Sequence, residues 1–161
     1  MPLKWEACPG GNFSIISEIR MPKSNLNHII TVSGMLVVTR EITGSLSLVM
    51  QTHKCNVDMT KCENDAVKNI PDVCKRFKDK NPIFAIPMSY IKPKFECPVK
   101  PGNYTIDTMK VDLSILAMMP IDGYIYLSSL KFVSSSKGGK LKTIEMCWNV
   151  EMKIVKVRQR L

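Results

Sequence analysis

Cysteine is the residue whose number and spacing first suggest chemistry. Six are present, at Cys8, Cys55, Cys62, Cys74, Cys97 and Cys147, with no Cys-x-x-Cys and only two histidines in the chain. A zinc site needs clustered nitrogen and sulfur ligands, so this even, dispersed set predicts a disulfide framework and an oxidising compartment. Their spacing alone does not choose among the pairings that six cysteines allow.

Catalytic patterns are missing. The sequence holds no Gly-x-Ser-x-Gly elbow, no His-Glu-x-x-His and no glycine loop of the phosphate-binding kind. His28 lies in an apolar run and His53 at the end of a strand-like one, which predicts structural roles for both. The fourteen carboxylates are scattered, and a glycosidase pair meets only in space, so sequence spacing does not reveal one. The expectation is a protein that is not an enzyme and uses no cofactor or metal. A hydrolase with a dispersed site is the weakest of the readings.

Two acceptor patterns for N-glycosylation, Asn12-Phe13-Ser14 and Asn103-Tyr104-Thr105, point with the cysteines to a secretory route, extracellular or lysosomal. Met1-Pro2 is not followed by a basic, apolar and cleavage-site sequence, which predicts a mature chain with an added start methionine. The apolar stretches Ile29 to Thr39 and Ile42 to Thr52 are about half the ~20 residues that span a bilayer as a helix. The net charge of +9 favours anionic partners such as a membrane surface. Nucleic acid is excluded as a partner on the disulfides, which do not belong in the reducing cytosol or nucleus.

The elements that must position these residues are mostly strands. At 161 residues and 45% hydrophobic content, the chain predicts a single packed domain over 1–161. Lys4 to Cys8 reads as a short edge strand. From Phe13 the pattern alternates, with Phe13, Ile15, Ser17, Ile19 and Met21 on one side and Ser14, Glu18 and Arg20 on the other. His28 to Arg40 is a long β-branched run, and Ser45 to His53 alternates Leu46, Leu48 and Met50 with polar residues. Glu41 to Gly44 suggests a hairpin between those two.

Glu63 to Phe77 is the helix candidate, with Pro71 confining the helix itself to about 70–78. Asp79 to Lys94 reads as an irregular, apolar loop carrying Phe84, Ile86, Met88 and Tyr90 between its prolines. Cys97-Pro98-Val99-Lys100-Pro101-Gly102-Asn103-Tyr104 reads as a stapled corner: two prolines remove backbone donors, and Pro101-Gly102 suits a turn with φ above zero at the glycine. The last third returns to strands. Met109, Val111, Leu113 and Ile115 alternate with polar residues, Met118-Met119-Pro120 falls in an apolar turn, and Tyr124 to Val133 carries Tyr126. In the final strand Ile144, Met146, Trp148, Val150, Met152 and Ile154 share one parity, the clearest alternation in the chain.

Six or more strands with one short helix near 70–78 predict an all-β antiparallel sandwich. Eleven methionines are many for this length, and Met88, Met118 and Met119 fall in proline-marked loops. Methionine is unbranched and polarizable, and suits variable apolar ligands as well as irregular cores. The strands would supply an apolar lining: Ile15, Ile19, Leu46, Leu48, Met50, Met109, Val111, Leu113, Ile115, Tyr124, Tyr126, Met146, Trp148 and Met152. The two proline loops, with Phe84, Ile86, Met88 and Tyr90 on one and Met118 and Met119 on the other, would form its mouth.

The corner from Cys97 to Tyr104 resembles the Cys-Pro-aromatic-Lys-x-Gly-x-Tyr corner of the ganglioside activator protein family and its arthropod relatives, within the lipid-recognition β-cup superfamily. Val99 here replaces the aromatic residue. The resemblance spans most of the chain: Cys55-x6-Cys62, Cys74 soon after, the corner, Gly123-Tyr124, then Ser134-Ser135-Ser136 with Gly138-Gly139, and Cys147 in the final strand. It implies the bridges Cys8–Cys147, Cys55–Cys62 and Cys74–Cys97. The family's further bridge just before the corner has no counterpart within Asp79 to Glu96, so its ganglioside specificity does not carry over.

The resemblance further implies a cup around an apolar cavity, and a role in carrying a lipid to a membrane, a receptor or a lipid-processing enzyme. Two function classes follow. One is a secreted, non-enzymatic carrier of a lipid or other apolar small molecule; the other is a secreted interaction protein acting through its basic surface on a receptor or membrane, without a ligand.

Overall fold

The structure, a computed structural model, describes residues 3–21, 29–79, 82–112 and 123–153; Leu3, Pro82, Ile83 and Phe84 are described by their backbone alone. Nine strands and two short helices are found there: β1 Leu3–Ala7, β2 Ile15–Arg20, β3 Ile29–Val38, β4 Ser45–Cys55, β5 Cys62–Ile70, α1 Val73–Arg76, α2 Pro82–Ser89, β6 Ile91–Lys92, β7 Gly102–Asp112, β8 Ile125–Ser135 and β9 Lys142–Lys153. They form two antiparallel sheets, one of five strands in the order β1-β9-β8-β4-β5 and one of four in the order β2-β3-β7-β6. The all-β architecture expected from the alternation is the one observed.

Strand β2 shows why the alternation could be read. Ile15 is buried and Ile19 half-buried, while Ile16, Glu18 and Arg20 are exposed, so one face meets the other sheet and one meets water. The core gathers where Ile15, Leu36 and Val38 of one sheet meet Leu46 and Met146 of the other. Ile42 and Val99, each buried, plug that end and exchange backbone hydrogen bonds of 2.9 and 3.2 Å.

That exchange corrects one expectation. Glu41 to Gly44 is not a hairpin: β3 pairs with β2 and β7, and β4 with β5 and β8, so the segment crosses from one sheet to the other. Gly44 makes the crossing with φ +91°, and a Cβ there would stand 2.4 Å from the carbonyl oxygen of Ser135.

The middle of the chain also differs from its reading. The first half of the helix candidate Glu63 to Phe77 lies in the edge strand β5, Cys62–Ile70, and only Val73–Arg76 is helical within the 70–78 window. β5 has little buried surface on either face, with Val67 68% exposed, so the period-2 signal is missing. Its pairing with β4 is made through the backbone and a tight turn. The supposed irregular loop contains α2, a helix with Pro87 inside it. Proline clusters argue for loop, but in so short a helix few hydrogen bonds are lost to one.

The unbroken parity of the last strand fails at a bulge. Phe132 pairs with Met146 but Val133 with Ile144, so Glu145 is the extra residue. It turns inward and is 4% exposed, while Ile144 is 40% exposed. From Met146 onward the parity holds. A second irregularity lies between Val32 and Gly34 in β3, where a Cβ on Gly34 would meet the Glu18 carbonyl oxygen at 2.1 Å. Only glycine lets β2 approach there.

Candidate functional site: the space between the sheets

The three disulfides are Cys8–Cys147, Cys55–Cys62 and Cys74–Cys97, the pairing that the resemblance implies. The first ties β1's end to β9. The second joins directly paired residues across the β4–β5 hairpin. The third fastens α1 to the corner. There Tyr104, at the start of β7, donates its hydroxyl to the Lys100 carbonyl at 2.9 Å. Phe95 stands edge to face between Phe77 and Tyr104, with ring centroids 5.7 and 5.3 Å away. Lys100 pairs with Glu41, so the corner is also held to the crossing segment.

These anchors leave the two inner sheet faces opposed. On the five-stranded sheet the inner rows run Ala7, Trp148, Leu130, Met50 and Trp5, Val150, Ser128, Thr52 across β1, β9, β8 and β4. On the four-stranded sheet Ile19, Val32, Met109 and Val111 continue the inner face, with Met109 packed against the core. Trp148 bridges the gap, its Nε1–H donating to Ser17 Oγ, and meets Trp5 edge to face at 4.9 Å between ring centroids.

Burial changes along this space. On the Ile42–Val99 side the facing residues Ile15, Leu46 and Met146 are at most 3% exposed. Past Trp148, toward Lys153 on β9 and Asp112 on β7, Ile19, Met50, Met109, Val111, Val150 and Met152 are only half-buried, while Val32, Thr52 and Tyr126 among them are buried. Leu48 and Trp148 are half-buried between those zones. Burial raises the Tyr126 phenol above its ordinary pKa of 10.0; nearby Lys54 pulls it down, and Asp65 and Tyr124 push it up.

Other sequence candidates fall elsewhere. Tyr124 is exposed and carries the Lys54 ammonium 3.9 Å above its ring centre, so it belongs to the surface. Ile86 is 52% exposed, whereas Met88 packs against the core and Tyr90 is half-buried. Leu113, Ile115, Met118, Met119 and the Phe84 side chain lie outside the described residues, as does Ile154. Asn12 and Asn103 are both exposed; the hydroxyl of Ser14 in the first pattern accepts a hydrogen bond from Arg40 Nε.

Sequence reasoning passed over Trp5, Thr52 and Ser128, and put Ser17 on the face of Ile15 and Ile19 without giving it a role. Trp5 sits in a five-residue edge strand too short for a periodic signal, and inward hydroxyls look the same in sequence as outward ones. His53 is half-buried and borders a concavity of about 380 Å³ on the outer face of the five-stranded sheet, with Glu6, Asn149 and Glu151. Among the described residues no three His, Cys, Asp or Glu side chains gather as metal ligands, and no helix is long and apolar enough to cross a membrane. Compared with known proteins, the chain matches no family model and no curated protein.

Proposed function

We propose that this protein is a secreted, non-enzymatic carrier that takes a lipid or other apolar small molecule between its two sheets and delivers it to a membrane, a receptor or a lipid-processing enzyme. The observation that carries this reading is the gradient of burial between the sheets. Apolar side chains are closed off at the Ile42–Val99 end, and past Trp148 most of them, Ile19, Met50, Met109, Val111 and Met152, are half-buried beside buried Val32 and Tyr126. Apolar side chains left half-covered in an interior have more to gain from a ligand than from water. An acyl chain of sixteen carbons gains about 0.8 kcal/mol per methylene buried, on the order of ten kcal/mol before entropic losses.

Three disulfides fit an oxidising compartment, and exposed Asn12 and Asn103 are accessible to glycosylation there. The likeness of the Cys97–Tyr104 corner to that of the ganglioside activator family favours the same class of work, with no metal or cofactor. Native mass spectrometry of protein from an insect or mammalian secretory host, followed by organic extraction, tests the reading. A co-purified lipid, or displacement of an apolar dye by long-chain lipids, is expected. A protein that retains no lipid and takes up no dye, yet binds anionic vesicles or a receptor through its charge of +9, would instead be a surface-acting interaction protein.

A further inference from the structure

Two indoles in contact are treated in opposite ways between the sheets. Trp148 Nε1 has a partner in Ser17 Oγ, whereas Trp5 Nε1 is buried without one, the one such side-chain nitrogen or oxygen among the described residues. An indole N–H is a donor only, and a buried donor is normally paired. Trp5 belongs to the inner row Trp5, Val150, Ser128, Thr52, and at the far end of that row Thr52 Oγ1 and Ser128 Oγ lie 3.0 Å apart. One O–H of a two-hydroxyl pair serves the pair itself, which leaves the second able to donate elsewhere. The neighbouring rows are mostly apolar: Met50, Leu130 and Trp148 on one side, Tyr126 and Met152 on the other, where Lys54 pairs with Tyr126 and lays its ammonium on the Tyr124 ring.

We infer that the ligand carries an oxygen acceptor, an ester, carbonyl or carboxyl group, and that Trp5 Nε1 donates to it, with the Thr52–Ser128 pair as the second polar contact of the same row. The inference rests on the carrier reading and deepens it: the apolar zone accepts any hydrocarbon chain, and Trp5 selects among chains by their oxygen. A pure hydrocarbon would leave the indole donor buried and unpaired, and so would be bound less well.

Displacement of an apolar fluorescent dye by methyl hexadecanoate and by octadecane, two chains of similar length, reads this directly. The wild-type protein is expected to prefer the ester by about tenfold, one hydrogen bond's worth in an apolar site. Trp5→Phe keeps an aromatic ring against Trp148 and removes the donor; it is expected to bind the alkane as before and lose the preference. A wild type without preference, or a Trp5→Phe protein that keeps it, overturns the assignment and leaves the carrier reading standing. Failure of both probes to displace the dye overturns carrier and assignment together. Should Trp5→Phe not fold, ¹⁵N-indole spectra of the wild type decide: the Trp5 N–H resonance moves downfield with the ester and not with the alkane, and an unmoved resonance with ester bound overturns the assignment.

Discussion

Arg40, two residues past the end of β3, reaches across to Glu145 at the bulge of β9, Nη2 to Oε2 at 3.1 Å, and so joins the two sheets by a charge pair. Arg40 Nε donates to Ser14 Oγ, and Ser134 Oγ donates to the other carboxylate oxygen of Glu145. The arginine is more than half exposed while the carboxylate is 5% exposed, so the two ends of the pair are not equivalent. Removing the arginine strands a buried anion; removing both ends leaves no buried charge, only the Ser14 and Ser134 hydroxyls without these partners. Arg40→Met is therefore expected to cost about 2–3 kcal/mol in urea denaturation, and the double variant Arg40→Met, Glu145→Met less than the sum of its singles by about 1–2 kcal/mol. Additive costs would mean that the cluster does not act as a unit.

The three bridges close loops of very different length, with sequence separations of 139, 23 and 7. Chain entropy assigns about 5 kcal/mol to Cys8–Cys147, about 3.5 to Cys74–Cys97 and about 2.5 to Cys55–Cys62. Removing the pairs one at a time by Cys→Ala should lower the unfolding free energy in that order. An inverted order would show that loop length does not set their contribution here.

Tyr126 gives a pH dependence whose sign is fixed by its burial. Its folded pKa is raised above 10.0, so the fold favours the neutral phenol. The contribution is fully present below the ordinary tyrosine pKa and is lost as pH rises through the raised, folded value. Melting temperature should therefore fall as pH rises from about 10 upward, with a shallower fall in Tyr126→Phe. Identical slopes in the two proteins would place Tyr126 in contact with water.

What could be read from sequence follows from where water lies. β2 and the outer half of β9 each have one dry face and one wet face, and their alternation survives folding intact. The failures share a cause as well. β5 buries little on either side, so Glu63, Asp65 and Val67 carry no face to detect. Glu145 faces inward only because a bulge adds a residue opposite Phe132 and Val133, and a carboxylate in an apolar run looks like an outward position. Glu41 to Gly44 has the composition of a hairpin, and only the Ile42–Val99 bridge reveals that it changes sheets. The candidate site was half legible: Met50, Met109, Trp148 and Met152 follow from parity, whereas the Trp5 donor depends on which hydroxyls lie across the gap.

Delivery to a membrane would need an exposed apolar side chain to meet it, and α2 offers Ile86. Pro82–Ser89 carries no charged side chain; Met88 packs on the core while Ile86 is 52% exposed. Exposed Lys78, Lys92 and Lys94 flank the segment, Lys94 paired with Glu96 at 3.1 Å. Ammonium groups near an anionic surface add roughly 1 kcal/mol each and are screened by salt, whereas burial of an isoleucine is not. Ile86→Ser is thus expected to weaken binding to phosphatidylserine-containing vesicles by about tenfold, from the ~1.5 kcal/mol or more that burying such a side chain gains, and to leave the melting temperature nearly unchanged. The loss should persist at high salt, where the lysine contribution fades. Undiminished vesicle binding with a lowered melting temperature would assign α2 to the cover of the core and not to the approach to a membrane.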